Sequence, residues 1–181
     1  MKPSLVCIGL GNPGKQYEQT RHNLGFQAMD TLKEEYGEGE WSQKSKFAAE
    51  VCDARIVTVP CLLAKPQTYM NCSGEAVKKL VDFYKLDPAM QILVFCDDID
   101  VQFGELRMRE SGGPGTHNGL KSVVEHIGEN FYRIRIGIGP KPENVDDLAT
   151  WVLSRPSEGE QKKLHEALLK IPEMVKEFVL R

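Results

Sequence analysis

Two stretches of the chain are apolar without interruption, Leu5 to Ile8 and Ile92 to Cys96, and each stops abruptly, at Gly9 and at Asp97-Asp98. Short apolar runs bounded in this way predict strands buried on both faces. Elsewhere the period changes to that of helices. Phe26, Met29, Leu32 and Tyr36 recur three or four residues apart and are followed by Gly37 and Gly39, which predicts an amphipathic helix and its end. Val77, Leu80, Val81 and Tyr84 make a second such face, with Ser73 as its expected N-cap and Pro88 beyond its end. Val51 to Ala64 carries strand-like runs broken by Pro60, and Glu105 to Glu110 alternates charge with Leu106 and Met108, as a half-exposed strand does. His117 to Ile127 reads as helix, and Ile134, Ile136 and Ile138 alternate with Arg133 and Arg135 as a strand with one buried face. Leu164, Leu168, Ile171, Val175 and Phe178 return to helical spacing, with Pro172 as a kink or break. Strands alternating with helices, without repeats, linkers or low-complexity tracts, predict a single α/β domain over residues 1–181. Its expected core is a mixed, largely parallel twisted sheet flanked by helices.

Composition adjusts this picture in three places. No apolar run approaches the roughly 20 residues that cross a bilayer, and the first apolar run enters a Gly-Asn-Pro-Gly turn directly, as a buried strand does and a signal peptide does not. The five cysteines, Cys7, Cys52, Cys61, Cys72 and Cys96, are odd in number and include no C-x-x-C pair. Neither a disulfide framework nor a zinc site is predicted, and a reducing cytoplasm is the expected location. With a net charge of −3 the chain is not globally basic, so a nucleic-acid partner requires a local basic patch.

Candidate chemistry gathers at the ends of the two buried strands, where open α/β sheets collect ligands. The loop Gly9-Leu-Gly11-Asn12-Pro13-Gly14 matches the spacing of a dinucleotide-binding turn, with Asp30 near the later acid. That motif also needs a helix opening at once with free N–H groups. Here Pro13 has none and the helical pattern begins only near His22, so a tight turn presenting Asn12 is the better reading. His22 follows this turn where a helix begins, with Asp97 available at a strand end to hold one ring nitrogen and leave the other basic. His117 and His126 show no such setting. No G-x-S-x-G nucleophile turn exists and no cysteine sits in an evident electropositive setting, so a His–Asp pair without a nucleophile points to activated water and hydrolysis. Asn12, Asn71 and Asn118 lie in glycine-flanked, loop-like settings. Each carboxamide can serve the backbone of a turn, or hold a peptide bond and a developing oxyanion. Arg107 and Arg109, two apart on a strand, share a face and suit a phosphate clamp, which Lys121, Arg133, Arg135 and Lys141 would extend.

Taken together these segments resemble the bacterial-type peptidyl-tRNA hydrolases. The likeness runs through Gly9 to Gly14, Tyr17, Thr20-Arg-His-Asn23, Lys65-Pro-Gln-Thr-Tyr-Met-Asn71 with Ser73-Gly74, Asp97-Asp-Ile-Asp100, His117-Asn-Gly-Leu-Lys121 and Arg133 to Gly139, in that order. The resemblance implies hydrolysis of the ester between a peptide and the tRNA 3′ end, freeing tRNA from stalled or abortive translation without a metal or other cofactor. It implies His22 as the base that activates water and Asp97 as its orienting carboxylate. Asn12 and Asn71 would hold the carbonyls, Asn118 the substrate or the water, and Tyr17, Tyr69 and Met70 the peptide cleft. Arg107 and Arg109 stand where the family commonly has lysines for the tRNA 5′-phosphate. The partner is then peptidyl-tRNA, met at its 3′ CCA end, acceptor stem and 5′-phosphate, by a cytoplasmic monomer with no membrane partner. Pro114 and Thr116, in place of smaller residues, and Glu110 beside the clamp depart from the family pattern in the loop before His117. The C-terminal extension of some longer members is not expected here.

Overall fold

A computed structural model of the chain describes residues 2–181. Seven strands form one sheet in the order β2-β3-β4-β1-β5-β7-β6. β1 (Leu5–Gly9) is buried at every position, as its uninterrupted apolar run requires, and pairs in parallel with β4 (Val59–Pro66) on one side and β5 (Ile92–Asp98) on the other. β5 pairs in parallel with β7 (Tyr132–Gly137). Antiparallel strands finish both edges: β3 (Ala49–Ile56) and β2 (Ser42–Lys44) beside β4, and β6 (Leu106–Arg109) beside β7. The expected parallel centre with antiparallel edge pieces is therefore what forms.

The period-two alternation of side chains divides the core between the faces of the sheet. Cys7, Phe95 and Ile134 face helices α1 (Leu24–Tyr36), α6 (Glu158–Leu168) and α7 (Ile171–Leu180), through residues such as Met29, Leu168 and Phe178. Ile8, Val94 and Cys96 face α2 (Ser73–Tyr84) and α4 (Asn118–Ile127), through Val77, Leu80 and Val123. Two short helices complete the chain, α3 (Pro88–Gln91) before β5 and α5 (Leu148–Val152) before α6. Burial pushes the thiols of Cys7 and Cys96 well above their ordinary value and that of Cys61 to about 11, and these cysteines behave as small apolar residues.

Two local expectations are corrected and one is met. Ser73 does not cap α2; it is the first residue of the helix, and its hydroxyl donates to the Met70 carbonyl at 2.7 Å in the 3₁₀ turn Met70–Cys72 that leads in. Pro60 does not break a strand. It lies at the start of β4 opposite Arg55, just past a hairpin turn in which Val57 takes φ +58°, where a missing N–H is tolerated. Pro172 breaks the C-terminal helix and starts the next, standing in the first turn of α7 where its fixed φ fits.

The sheet direction places the site. β4, β1, β5 and β7 run the same way, so the segments holding Tyr69 to Asn71, Asn12 to His22, Asp97 and α5 all leave one edge. The Gly9 and Gly25 pairing lets α1 cross the end of β1 closely. A Cβ on Gly9 would stand 2.1 Å from the Gly25 carbonyl oxygen, so the first glycine of the loop serves helix–strand packing.

Candidate active site

Asp97 is the hub. Its carboxylate, 2% exposed, has oxygens 2.9 and 3.0 Å from His22 Nδ1 and 3.0 Å from His117 Nε2. A hydrogen bond outside this network sets the tautomer of His117. His117 is the N-cap of α4, and its Nδ1 accepts from the Leu120 N–H at 3.1 Å. An acceptor at Nδ1 leaves the ring proton of neutral His117 on Nε2, directed at Asp97. His22 in turn donates from Nδ1 to Asp97, which leaves a lone pair on Nε2. Burial works to lower the His22 pKa, but the charge and hydrogen bonds of Asp97 outweigh it, and the imidazole stands above its ordinary value. Burial would raise Asp97, yet the two histidines hold it far below the usual carboxylate range.

His22 is presented by a 3₁₀ turn, Arg21–Asn23, whose residues are all buried. Its neighbour Asn23 locks the glycine loop: the Asn12 N–H donates to Asn23 Oδ1 at 2.8 Å, and Asn23 Nδ2 donates to the Asn12 carbonyl at 2.9 Å. The Asn12 side chain is then oriented from the other wall, because the Met70 N–H donates to its Oδ1 at 2.7 Å. With Oδ1 occupied, Nδ2 is the donor that Asn12 offers to the cleft. Tyr69 delivers that Met70 N–H from a conformation rare for a side-chain-bearing residue, φ +63° and ψ 158°. Backbone of this kind typically costs on the order of 1–3 kcal/mol and persists where the surroundings enforce it.

The resulting cleft has a volume of about 450 Å³ and brings together His22, Asp97, Asn12, Tyr69, Met70, Asn71, Asn118 and Arg109. One wall is apolar, made by Ile99, Leu148, Val152 and Leu153; another is the loop Gly113 to Thr116. Tyr17 and Arg107 are not among the residues that line it. Tyr17 stands behind, its ring edge-on to Tyr69 with centroids 6.5 Å apart, and exposed Arg107 pairs with Glu105 at 2.9 Å.

The four arginines expected to form a patch do share one sheet face, since Arg107 lies opposite Arg135 and Arg109 opposite Arg133. They do not form a uniform solvated surface. Arg133 is 1% exposed, lies over the Phe131 ring at 4.0 Å and donates to the Glu129 carbonyl at 3.0 Å, so it is an internal strut. Arg135 approaches Asp98 at 3.7 Å, and Lys141 donates to the carbonyls of Pro142 and Val145. Arg107 and Arg109 remain as exposed guanidiniums.

Sequence reasoning passed over His117 and Asn23. For His117 the available signal was its position between a glycine-rich loop and the first apolar turn of a helix, an N-cap site at which a ring nitrogen has a defined partner. Among the described residues, His22, Asp97 and His117 are also the group whose ligand atoms, all within 4.8 Å of one another, could hold a metal ion. With the ring nitrogens nearest Asp97 protonated and donating to it, the three side chains form one hydrogen-bonded network. A carboxylate, a base with a free lone pair, a carboxamide donor and an apolar wall suit attack of water on an ester or amide carbonyl.

The family described as Peptidyl-tRNA hydrolase matches residues 6–181. A peptidyl-tRNA hydrolase of Fusobacterium nucleatum is 47% identical over 174 residues, covering 96% of this chain and 88% of that protein. One from Chloroflexus aggregans is 45% identical over 175 residues, covering 96% and 92%. The crystal structure of peptidyl-tRNA hydrolase from Acinetobacter baumannii superposes with a TM-score of 0.92 at 37% identity, covering 99% of this chain and 90% of that one.

Proposed function

The chain belongs to the peptidyl-tRNA hydrolase family, and on that premise we propose that its cleft cleaves the peptide–tRNA ester with water activated by His22. The observation that carries this reading is the Asp97 relay. The carboxylate accepts a hydrogen bond from each histidine, His117 is held in one tautomer by Leu120, and the free lone pair falls to His22 Nε2. A water poised there loses its proton to His22 as its oxygen attacks the ester carbonyl. Asn12 Nδ2 meets the developing oxyanion, and the proton on His22 passes to the departing ribose oxygen. Asp97 stays ionised and stabilises the imidazolium.

Asn71, exposed in the turn before α2, and Asn118, the first residue of α4, hold the flanking peptide and the tRNA 3′ end. Tyr69 and Met70 form the cleft side against which the peptide lies, with Tyr17 buttressing Tyr69. Arg107 and Arg109, on the edge strand, meet the tRNA 5′-phosphate. The enzyme acts as a cytoplasmic monomer that requires no cofactor.

The assay is release of free tRNA from N-acetyl-aminoacyl-tRNA, compared with the unblocked aminoacyl-tRNA. The blocked substrate should be cleaved and the unblocked one spared, because without the N-acyl group there is no amide carbonyl beside the ester for Asn71 and Asn118 to hold. In the same assay Asn12→Ala should lose about 10²–10³ in kcat, the usual cost of an oxyanion donor. Full activity of Asn12→Ala would remove its assignment, and failure to cleave the blocked substrate would overturn the reading as a whole.

A further inference from the structure

Arg21 precedes the catalytic histidine and is 2% exposed, yet its side-chain hydrogen bonds go to residues that do not line the cleft. It crosses instead to the segment that follows the apolar wall. Its Nη1 donates to Ser154 Oγ at 2.7 Å, its Nη2 to Glu160 Oε1 at 3.0 Å, and its guanidinium lies 3.5 Å over the ring of Trp151. Its backbone N–H adds a bond to the Ser154 carbonyl at 3.1 Å. Glu160 is itself fixed by the capping box that opens α6, where its carboxylate accepts from the Ser157 N–H. One side chain thus ties the His22 turn to both ends of the α5–α6 junction.

The geometry matters because α5 supplies the apolar wall. Leu148 and Val152, four apart on this short helix, and Leu153 beyond its end line the cleft opposite the polar residues. On the other side of His22, Asn23 ties the turn to Asn12, and Asn12 is tied to Met70. The tripeptide Arg21-His22-Asn23 is therefore a strap across the floor of the cleft, with the base at its middle and a wall held at each end.

We propose that Arg21 is a positioning residue that sets the spacing between His22 and the apolar wall of α5, and so the width of the slot that receives the acyl side of the substrate. The inference rests on the reading of the cleft as the peptide–ester site. An uncharged side chain of similar length in its place releases α5 while leaving every group that touches substrate intact. The slot then widens and the base loses its aim. Lysine keeps the charge toward Glu160 but cannot fork or stack, so it rescues in part.

The test is steady-state hydrolysis of N-acetyl-aminoacyl-tRNA by Arg21→Met, Arg21→Lys and Ser154→Ala, with the folded fraction of each measured by circular dichroism. KM should rise roughly fivefold in Arg21→Met, the equivalent of about one net hydrogen bond, with a fall in kcat of up to about 10²-fold, as for a base misplaced from afar. Arg21→Lys and Ser154→Ala should fall between it and wild type, and Glu160→Gln should add little to Arg21→Met, as expected of residues sharing one network. A merely structural arginine would lower the folded fraction and leave the KM of the folded enzyme unchanged; that result overturns the proposal. Ser154→Ala, which removes one hydroxyl, keeps the test open if Arg21→Met does not fold, and an unchanged KM in Ser154→Ala would then count against it. Undiminished activity in His22→Ala would instead mark failure of the site reading, separately from the strap.

Discussion

Replacing Asp97 by asparagine removes one charge and exchanges one acceptor for a donor, in a site where both oxygens are engaged. His22 Nδ1 lies 2.9 Å from Oδ2 and 3.0 Å from Oδ1, while His117 Nε2 lies 3.0 Å from Oδ1. An asparagine offers a single oxygen to these two N–H donors. His117 has the stronger claim, because the Leu120 N–H on its Nδ1 keeps its proton on Nε2. The new amide nitrogen then faces His22, which must turn its lone pair to Nδ1 and carry its proton on Nε2, where the base is needed. The loss should match that of a positioned general base, about 10²–10⁴ in kcat, with KM changed only a few-fold since neither wall is touched. A second substitution checks the cause. In Asp97→Asn with His117→Ala the competing donor is gone, the amide can turn its oxygen to His22, and the base regains its tautomer. That double variant should be faster than Asp97→Asn alone by roughly threefold to tenfold, about the worth of one net hydrogen bond. Single-turnover release of tRNA from N-acetyl-aminoacyl-tRNA measures both. A kcat of Asp97→Asn within about threefold of wild type would refute the relay, since a missing general base costs far more. A double variant slower than the single one would refute the tautomer assignment.

Further outcomes follow from the same geometry. The general base works only when neutral, and Asp97 holds the His22 pKa above the ordinary imidazole value near about 6.5. The kcat/KM profile should therefore fall toward acid with a midpoint above that value; a midpoint at or below it would show that burial, not Asp97, dominates. Because the relay is proton-bonded, incubation with a chelator and removal of divalent ions from the protein should leave the turnover of N-acetyl-aminoacyl-tRNA unchanged, provided magnesium needed to fold the tRNA is restored. Inactivation that only zinc or another transition ion reverses would reassign His22, Asp97 and His117 as ligands. Arg107→Ala with Arg109→Ala should weaken binding of full-length substrate and lower the slope of log affinity against log salt by about 1 for each phosphate that is no longer neutralised. An unchanged slope would place phosphate binding elsewhere.

The strands and helices were legible because burial on both faces of β1 and β5 demands unbroken apolar runs, and one-sided burial of α1, α2 and α4 demands helical spacing. Asp97 was legible for a related reason, since strand ends are where polar residues interrupt such runs, and His22 because it follows a glycine turn where a helix begins. His117 was not, because its meaning depends on an N-cap reaching a strand end twenty residues away in the chain, and residue types carry no distances. Arg133 was misplaced for the opposite reason. Strict alternation assigns it to the open face with Arg135, but Phe131 and the Gly112-Gly113 loop cover it, and its guanidinium satisfies carbonyls there. The loop glycines were read as a turn, and part of their use lies in helix packing: Gly9 admits the Gly25 backbone of α1.

The central claim is that His22 is the base, and its most direct test is the single-turnover rate of His22→Ala on N-acetyl-aminoacyl-tRNA at saturating enzyme, with binding measured beside it. The account predicts a rate lower by about 10²–10⁴ and substrate affinity within a few-fold of wild type. Hydrolysis by His22→Ala near the wild-type rate, with the substrate bound, would contradict it.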